Sequence, residues 1–265
     1  MKGRKHPDAL SLLMVGNSFA DDAMTDAYAI ARAAGVREVQ IGNLYIGGCS
    51  IEHHLACAQS NEPVYDFCYF DEKGEKQKRP ATRFSEGVAF ADWTAYSLQQ
   101  ASHFSGMRET YAPLRALHDA TEALAPLPGQ PFYFHMTWAY QQNSTHGGFA
   151  NYGGSQAAMY RAIVDCTRHE AMTSGLFCGI IPCGTAVQNL RTSFLGDTIC
   201  RDGYHLDLRY GRYVAGLTLV GTMTGIDPLC LGYRPPDVSE REALACRRAA
   251  AAAIRAPFAV TQTEA

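Results

Sequence analysis

The first strong hydrophobic signal along the chain is an almost unbroken apolar run, Leu10-Ser-Leu-Leu-Met-Val15, closed by Gly16. A run this short and continuous predicts a strand covered on both faces, as in a parallel sheet. From Asp21 to Ala34 the pattern changes to alanines, with Met24, Tyr28 and Ala31 near helical spacing. Gly35 then stands where a helix C-cap belongs. Val39-Gln-Ile41 resumes a strand, and Leu44-Tyr-Ile-Gly-Gly48 leads into a helix over Ile51 to Ala58. Strand, helix, strand, helix in this order predicts a parallel sheet with crossover helices.

Residues 60–90 interrupt that rhythm. Val64-Tyr-Asp-Phe-Cys-Tyr-Phe70 alternates aromatic and smaller groups, Lys73-Gly74 marks a turn, and a polar return arm follows. This predicts a β-hairpin insertion near residues 62–90, lying over the sheet. The α/β order then resumes with a strand near Ala95 to Leu98, a helix over Met107 to Ala125 and a strand at Pro131 to Thr137. A helix over Ser155 to Ser174, a strand at Leu176 to Ile181, a helix near Thr185 to Arg191 and a large helix over Leu208 to Thr224 complete it. Beyond Pro228 the chain is rich in Pro, Arg and Ala, and Glu240 to Ala256 reads as a peripheral helix. With no repeat and no evident linker, a single domain over residues 1–265 is expected, its core about 8–228 and its peripheral helix about 238–257.

Composition narrows the function classes. A net charge of −3 gives no electrostatic case for nucleic acid, which needs clustered Lys and Arg. The mixed-sign run Asp71 to Arg79 reads as a solvated loop or hairpin tip. Nine scattered cysteines without a C-x-x-C pair predict buried reduced thiols, and neither a disulfide framework nor structural zinc. The basic start Met1-Lys-Gly-Arg-Lys5 and the apolar stretch after it resemble a leader only superficially. No small-residue cleavage site follows, and the stretch is too short to span a bilayer. No membrane association and a cytoplasmic location are the expectations.

Two short motifs carry chemistry. Ser18 directly follows the first strand, at the carboxyl end where ligands bind in parallel α/β sheets. It is either a helix N-cap, a routine role for serine, or a nucleophile beside the amides of a helix start. Asp202-Gly-Tyr-His205 places a carboxylate three residues before an imidazole. A lone histidine is ordinarily a satisfied, partly buried side chain, but this acid is close enough to hold it in one tautomer and steady its positive charge. Serine, histidine and acid together are the parts of a nucleophilic hydrolase.

In this order the motifs carry a resemblance. Gly16-Asn17-Ser18-Phe19 resembles the Gly-Asp-Ser-Leu block of SGNH (GDSL-type) hydrolases, and Asp202-x-x-His205 resembles their C-terminal block. Gly47-Gly48-Cys49-Ser50 is similar to the second block, with Gly48 at the position whose backbone N–H serves the oxyanion hole. The resemblance spans most of the chain and implies a flavodoxin-like three-layer α/β/α sandwich with serine esterase chemistry. It implies Ser18, His205 and Asp202 as the triad, with no cofactor and no metal. Two positions depart from the pattern: Asn17 replaces the usual aspartate, and Leu98-Gln-Gln-Ala-Ser102 stands where a Gly-x-Asn-Asp block normally supplies an oxyanion donor. Gln100 or Gln99 is the expected substitute donor, with Ser102 and His103 as further candidates. The chain resembles a little-characterised branch with this Gln-Gln-Ala-Ser segment.

A Gly-, Asn- and Ser-rich loop follows the Pro131 strand and carries Trp138, Tyr140, Gln142, Asn143 and Tyr152 on or near it. These are either ordinary packing groups or a sugar-binding surface. With Asn17 and Ser102, Trp138 and Tyr140 are the expected substrate contacts. The expected substrate is a small O-acyl ester on a carbohydrate. A thioesterase or short-chain lipase with the same triad is the first alternative, and a catalytically weak glycan-binding scaffold the second.

Overall fold

A computed structural model describes residues 8–263; the basic start weighed above as a leader lies outside the described residues. The apolar run forms β1 (Ala9–Gly16), fully buried from Leu10 onward. It pairs in parallel with β2 (Glu38–Tyr45) on one side and with β5 (Ala95–Leu98) on the other. β6 (Phe132–His135) and β7 (Gly179–Ile181) extend the parallel ladder. The parallel strands therefore run in the order β2-β1-β5-β6-β7, the flavodoxin-like doubly wound arrangement. The chain order reverses at β1, between β2 and β5, and Ser18 leaves the sheet at that switch point.

The hairpin is present as β3 (Tyr65–Phe70) and β4 (Lys76–Thr82), but it does not lie over the sheet. β3 pairs antiparallel with β2, opposing Tyr69 to Gly42, so the hairpin continues the sheet edge to seven strands. Only the first half of the mixed-charge run is its tip, where Asp71 Oδ1 accepts from the Lys73 and Glu75 amides at 3.0 and 2.9 Å; Lys76 to Arg79 belong to β4.

Alternation along β1 divides the core. Leu10, Leu12 and Met14 face one apolar layer, and Leu13 and Val15 face the other. On the first face pack α1 (Ser18–Met24), α2 (Ala27–Ala33), α6 (Gln156–Cys166), α7 (Cys183–Leu190) and α8 (Tyr210–Thr224). On the second pack α3 (Ile51–Ser60), α4 (Phe84–Val88) and α5 (Leu114–Leu124). The single helix expected over Asp21 to Ala34 begins instead at Ser18 and breaks at Thr25-Asp26, where Thr25 Oγ1 bonds back to Asp21 O at 2.8 Å. The C-terminal helix α9 (Glu240–Arg255) is more than an appendage. Its capping box joins Ser239 and Glu242, and Ala243, Cys246, Ala249, Ala250 and Ala253 are buried against α7 and α8. Its alanines are small enough to let three helices approach closely. All nine cysteines are free thiols. No helix among the described residues is long and apolar enough to cross a membrane.

One packed carboxyl is held in an unfavourable place. Burial pushes Asp26, the residue before α2, up to about 6, although Arg212 opposes the shift, and its Oδ2 has no hydrogen-bond partner among the described residues. Because the folded value exceeds the ordinary 3.8, the fold carries no penalty below that value and a growing one as pH rises through about 6. Asp26→Asn is therefore expected to stabilise the protein at pH 7.5 by roughly 1–2 kcal/mol, less than the whole shift converts to, because some water contact remains. Chemical denaturation of both forms should show that gain vanish near pH 4.

Candidate active site

The cap that Ser18 was weighed against belongs to its neighbour. Asn17 is the N-cap of α1 and accepts from the Phe19 amide at 3.0 Å, which leaves the Ser18 hydroxyl free for other work. Ser18 Oγ lies 2.9 Å from His205 Nε2, and His205 Nδ1 lies 2.6 Å from Asp202 Oδ2. The carboxylate's other oxygen accepts from the backbone amides of Tyr204 and His205 at 3.2 and 2.8 Å. Since Asp202 only accepts, the His205 proton sits on Nδ1, and Nε2 presents its lone pair to the serine hydroxyl. Burial pushes the Asp202 carboxyl up, but the His205 bonds and the Tyr204 amide outweigh it and hold the group below the ordinary carboxylate value. Structure thus brings together, across 187 positions of sequence, three side chains in serine-hydrolase geometry.

Asp22, one turn beyond Ser18 on α1, fastens the two halves and was missed by sequence reasoning. Asp22 is 1 % exposed, and its carboxylate accepts from Arg201 Nη1 at 3.1 Å, Arg212 Nε at 2.8 Å and the Leu206 amide at 2.9 Å. Arg201 Nη1 also donates to Leu206 O, and the Arg201 amide bonds His205 O at 2.9 Å, closing the loop that carries the acid and the base. The only prior signal was an Asp-Asp pair in an otherwise apolar helix.

Gly48 lies on a four-residue turn, Ile46 to Cys49, closed by Cys49 N to Ile46 O at 3.2 Å. Its φ of +64° at the third turn position is the type II geometry that glycine adopts without strain. Asn17 Nδ2 holds the turn by donating to Cys49 O at 3.2 Å. This bond accounts for the departure at position 17: an aspartate has no donor and would set its oxygen against the Cys49 carbonyl.

Several expected site residues are corrected by the structure. Gln100 Nε2 donates to Thr110 O and Oγ1 at 2.9 and 3.1 Å, and its Oε1 accepts from the amides of Ile51 and Ala101. Gln99 Nε2 donates to Asn17 Oδ1 at 2.7 Å, and its Oε1 meets His135 Nδ1 at 2.9 Å. Both amides are consumed inside the fold, so neither is available to an oxyanion. Asn17, Trp138, Tyr140 and Ser102 are buried and cannot act as a substrate surface. Trp138 stacks beneath Phe19 at 4.1 Å and donates to Tyr204 O, while the Tyr140 and Ser102 hydroxyls pair at 2.8 Å. Each is an aromatic or polar group that the loop encloses instead of displaying.

What does stand beside His205 is Tyr204, whose ring centroid is 4.2 Å from that of His205, with His146 4.7 Å beyond it. Both are partly exposed, and burial followed by the charge of His205 holds His146 below its ordinary value. A cleft of about 920 Å³ lies elsewhere, at the starting ends of β1 and β2 among Arg32, Arg37 and Tyr69. Ligands of parallel α/β sheets bind at the opposite, carboxyl ends, where the triad lies.

These features define a doubly wound α/β protein with a Ser-His-Asp row at its switch point. The chain belongs to the family described as "Domain of unknown function (DUF4886)", which it matches over residues 11–253. It is similar to the crystal structure of a DUF4886 family protein from Bacteroides uniformis ATCC 8492, with 36% identity, a TM-score of 0.92, and coverage of 96% of this chain and 98% of that one. A protein from Slackia heliotrinireducens, described as "a putative SGNH hydrolase", matches at 20% identity and TM-score 0.49 over 81% of this chain and 99% of that one. LAE5, an alpha/beta hydrolase enzyme from the metagenome of Lake Arreo, Spain, matches at 13% identity and TM-score 0.48 over 85% and 98%. None of the curated proteins compared with the chain matches it.

Removing the Asp22 carboxylate should loosen the loop that carries Asp202 and His205. Asp22→Ala is expected to cost about 3 kcal/mol in urea denaturation, the lower end for breaking a buried pair because both guanidiniums keep some water. Amide exchange across residues 201–206 should accelerate, and Asp22→Asn, which keeps one acceptor, should lose less.

Proposed function

We propose that the protein is a serine-dependent carboxylic ester hydrolase of SGNH type, acting on a small O-acyl group, acetyl above all, carried by a carbohydrate. The observation that carries this reading is the continuous Ser18–His205–Asp202 hydrogen-bonded row. Ser18 Oγ attacks the acyl carbon as His205 Nε2 takes its proton, and Asp202 steadies the imidazolium. The tetrahedral oxyanion is received by the N–H groups of Ser18 and Gly48. The first is a helix-start amide with no intrahelical partner, and the second belongs to the turn beside it. Collapse transfers the His205 proton to the leaving alcohol, and water then releases the acyl group by the same route. No step requires a cofactor.

With Trp138 and Tyr140 enclosed, the carbohydrate part of this reading rests on the partly exposed Tyr204 and His146 beside His205 and on the exposed Asn143 of the same loop. They combine ring faces with hydrogen-bonding edges, which suits a polyol better than an alkyl chain. The engaged Gln99 and Gln100 amides favour one other reading, a glycan-binding scaffold with weak catalysis. A site lacking one oxyanion donor loses on the order of 10²–10³ in rate.

A fluorophosphonate probe is expected to label Ser18 in the folded protein and not in Ser18→Ala; an unlabelled wild type would favour the binding module. Among p-nitrophenyl esters, acetate should be hydrolysed faster than butyrate and octanoate. A preference for octanoate would replace the carbohydrate ester with the lipase alternative. Asp202→Asn should lower kcat on the order of 10³- to 10⁴-fold, because Nδ1 then loses its anionic acceptor. With Asp202 held below the ordinary carboxylate value, kcat/KM should rise with pH through a single ionisation on the acid side, without a second carboxylate limb.

A further inference from the structure

His135 and Gln99 lie outside the chemistry described so far, yet they end in it. His135 is the last residue of β6, fully buried, and its imidazole Nδ1 is 2.9 Å from Gln99 Oε1. Gln99 Nε2 continues to Asn17 Oδ1 at 2.7 Å, and Asn17 Nδ2 continues to the Cys49 carbonyl at 3.2 Å. Every amide in this line has one orientation. The Phe19 N–H requires Asn17 Oδ1 as its acceptor, so Nδ2 must point at Cys49 and Gln99 must offer its NH₂ to Oδ1. Gln99 Oε1 then faces His135, which must donate from Nδ1. Burial pushes the imidazole down to about 3, so the ring stays neutral, and its Nε2 has no hydrogen-bond partner among the described residues. A buried histidine with a single bond is an expensive way to fill a core. The line also needs space: a Cβ at Gly16 would stand 3.0 Å from Gln99 Oε1.

We propose that Gln99, oriented by His135, is a positioning residue for the oxyanion hole, holding Asn17 so that it caps the nucleophile's helix and pins the Gly48 turn at the same time. The two donors assigned under the ester hydrolase reading, Ser18 N–H and Gly48 N–H, each adjoin a residue that the Asn17 side chain holds, Phe19 on one side and Cys49 on the other. One side chain therefore sets their separation, and this proposal rests on that reading. Gln99 occupies the segment where the resembled family carries a side-chain donor. Here it acts one bond further back, through backbone donors.

The test uses the full-length protein with Gln99→Glu, which is isosteric but sets a carboxylate against Asn17 Oδ1, and Gln99→Met, which removes both bonds. His135→Phe and the Gln99→Met/His135→Phe double variant complete the set. Gln99→Glu and Gln99→Met are expected to lower kcat for p-nitrophenyl acetate roughly 10- to 100-fold with KM within about twofold, short of the loss on deleting a donor outright. Affinity for a trifluoromethyl ketone, which forms the oxyanion, should fall in parallel. His135→Phe should give a smaller loss of the same kind, and the double variant should be no worse than Gln99→Met alone, as for residues in one line. Amide exchange at residues 47–50 should accelerate in each variant. If the wild type is active and the Gln99 variants keep its kcat, ketone affinity and loop exchange, the proposal is overturned. If kcat falls only with the thermal midpoint and ketone affinity holds, the role is structural and the proposal is equally overturned. Should the wild type prove inactive, the ester hydrolase reading fails by itself, and exchange at residues 47–50 still decides whether Gln99 holds the turn.

Discussion

The buried carboxylate of Asp22 is the interaction on which the site depends. Two guanidiniums and one backbone amide converge on it, and they come from the loop and helix around His205, while Asp22 shares a helix with Ser18. An isolated charge at that depth would be costly, so the arrangement is favourable only when the distant segments meet in one geometry. That requirement makes the ion cluster a register device. It converts the fold's coarse packing of α1 against α8 into the 2.9 Å approach of Ser18 to His205.

On the other side of Ser18 the same logic uses neutral groups. Asn17 accepts from the Phe19 amide of α1 and from Gln99 and donates to the Gly48 turn, so the strand end, the helix start and the adjacent loop cannot shift independently. Placing these fasteners at the switch point of the sheet is economical. β1 is buried from Leu10 onward, and a switch point is where the loops on its two flanks diverge.

The parts of the site that could be recognised in the sequence were those in which chemistry and local geometry coincide. An apolar strand ending in Gly16-Asn17-Ser18, a glycine pair that needs a positive φ, and an acid three residues before a histidine are all short-range statements. The hairpin was visible by alternation, but its place at the sheet edge was not, because alternation shows which faces differ and not what lies beyond them. The same gap explains the misplacement of Trp138, Tyr140 and Ser102. A tryptophan in a Gly-rich loop looks exposed until Phe19, from the far end of the chain, is found stacked upon it.

The sequence by itself determined the alternation of parallel strands with crossover helices, the local pairing of Asp202 with His205, and the turn that carries Gly48. Hydrophobic period and backbone permissiveness act within a few residues, so they can be read there. Only the tertiary structure decided that Asn17 and not Ser18 caps the helix, that Gln99 and Gln100 spend their amides internally, and that Asp22 with Arg201 and Arg212 fastens the His205 loop to the helix of Ser18. A side-chain amide or carboxylate takes its role from the groups that surround it, and for Gln99, Gln100 and Asp22 those groups lie 10 to 190 residues away.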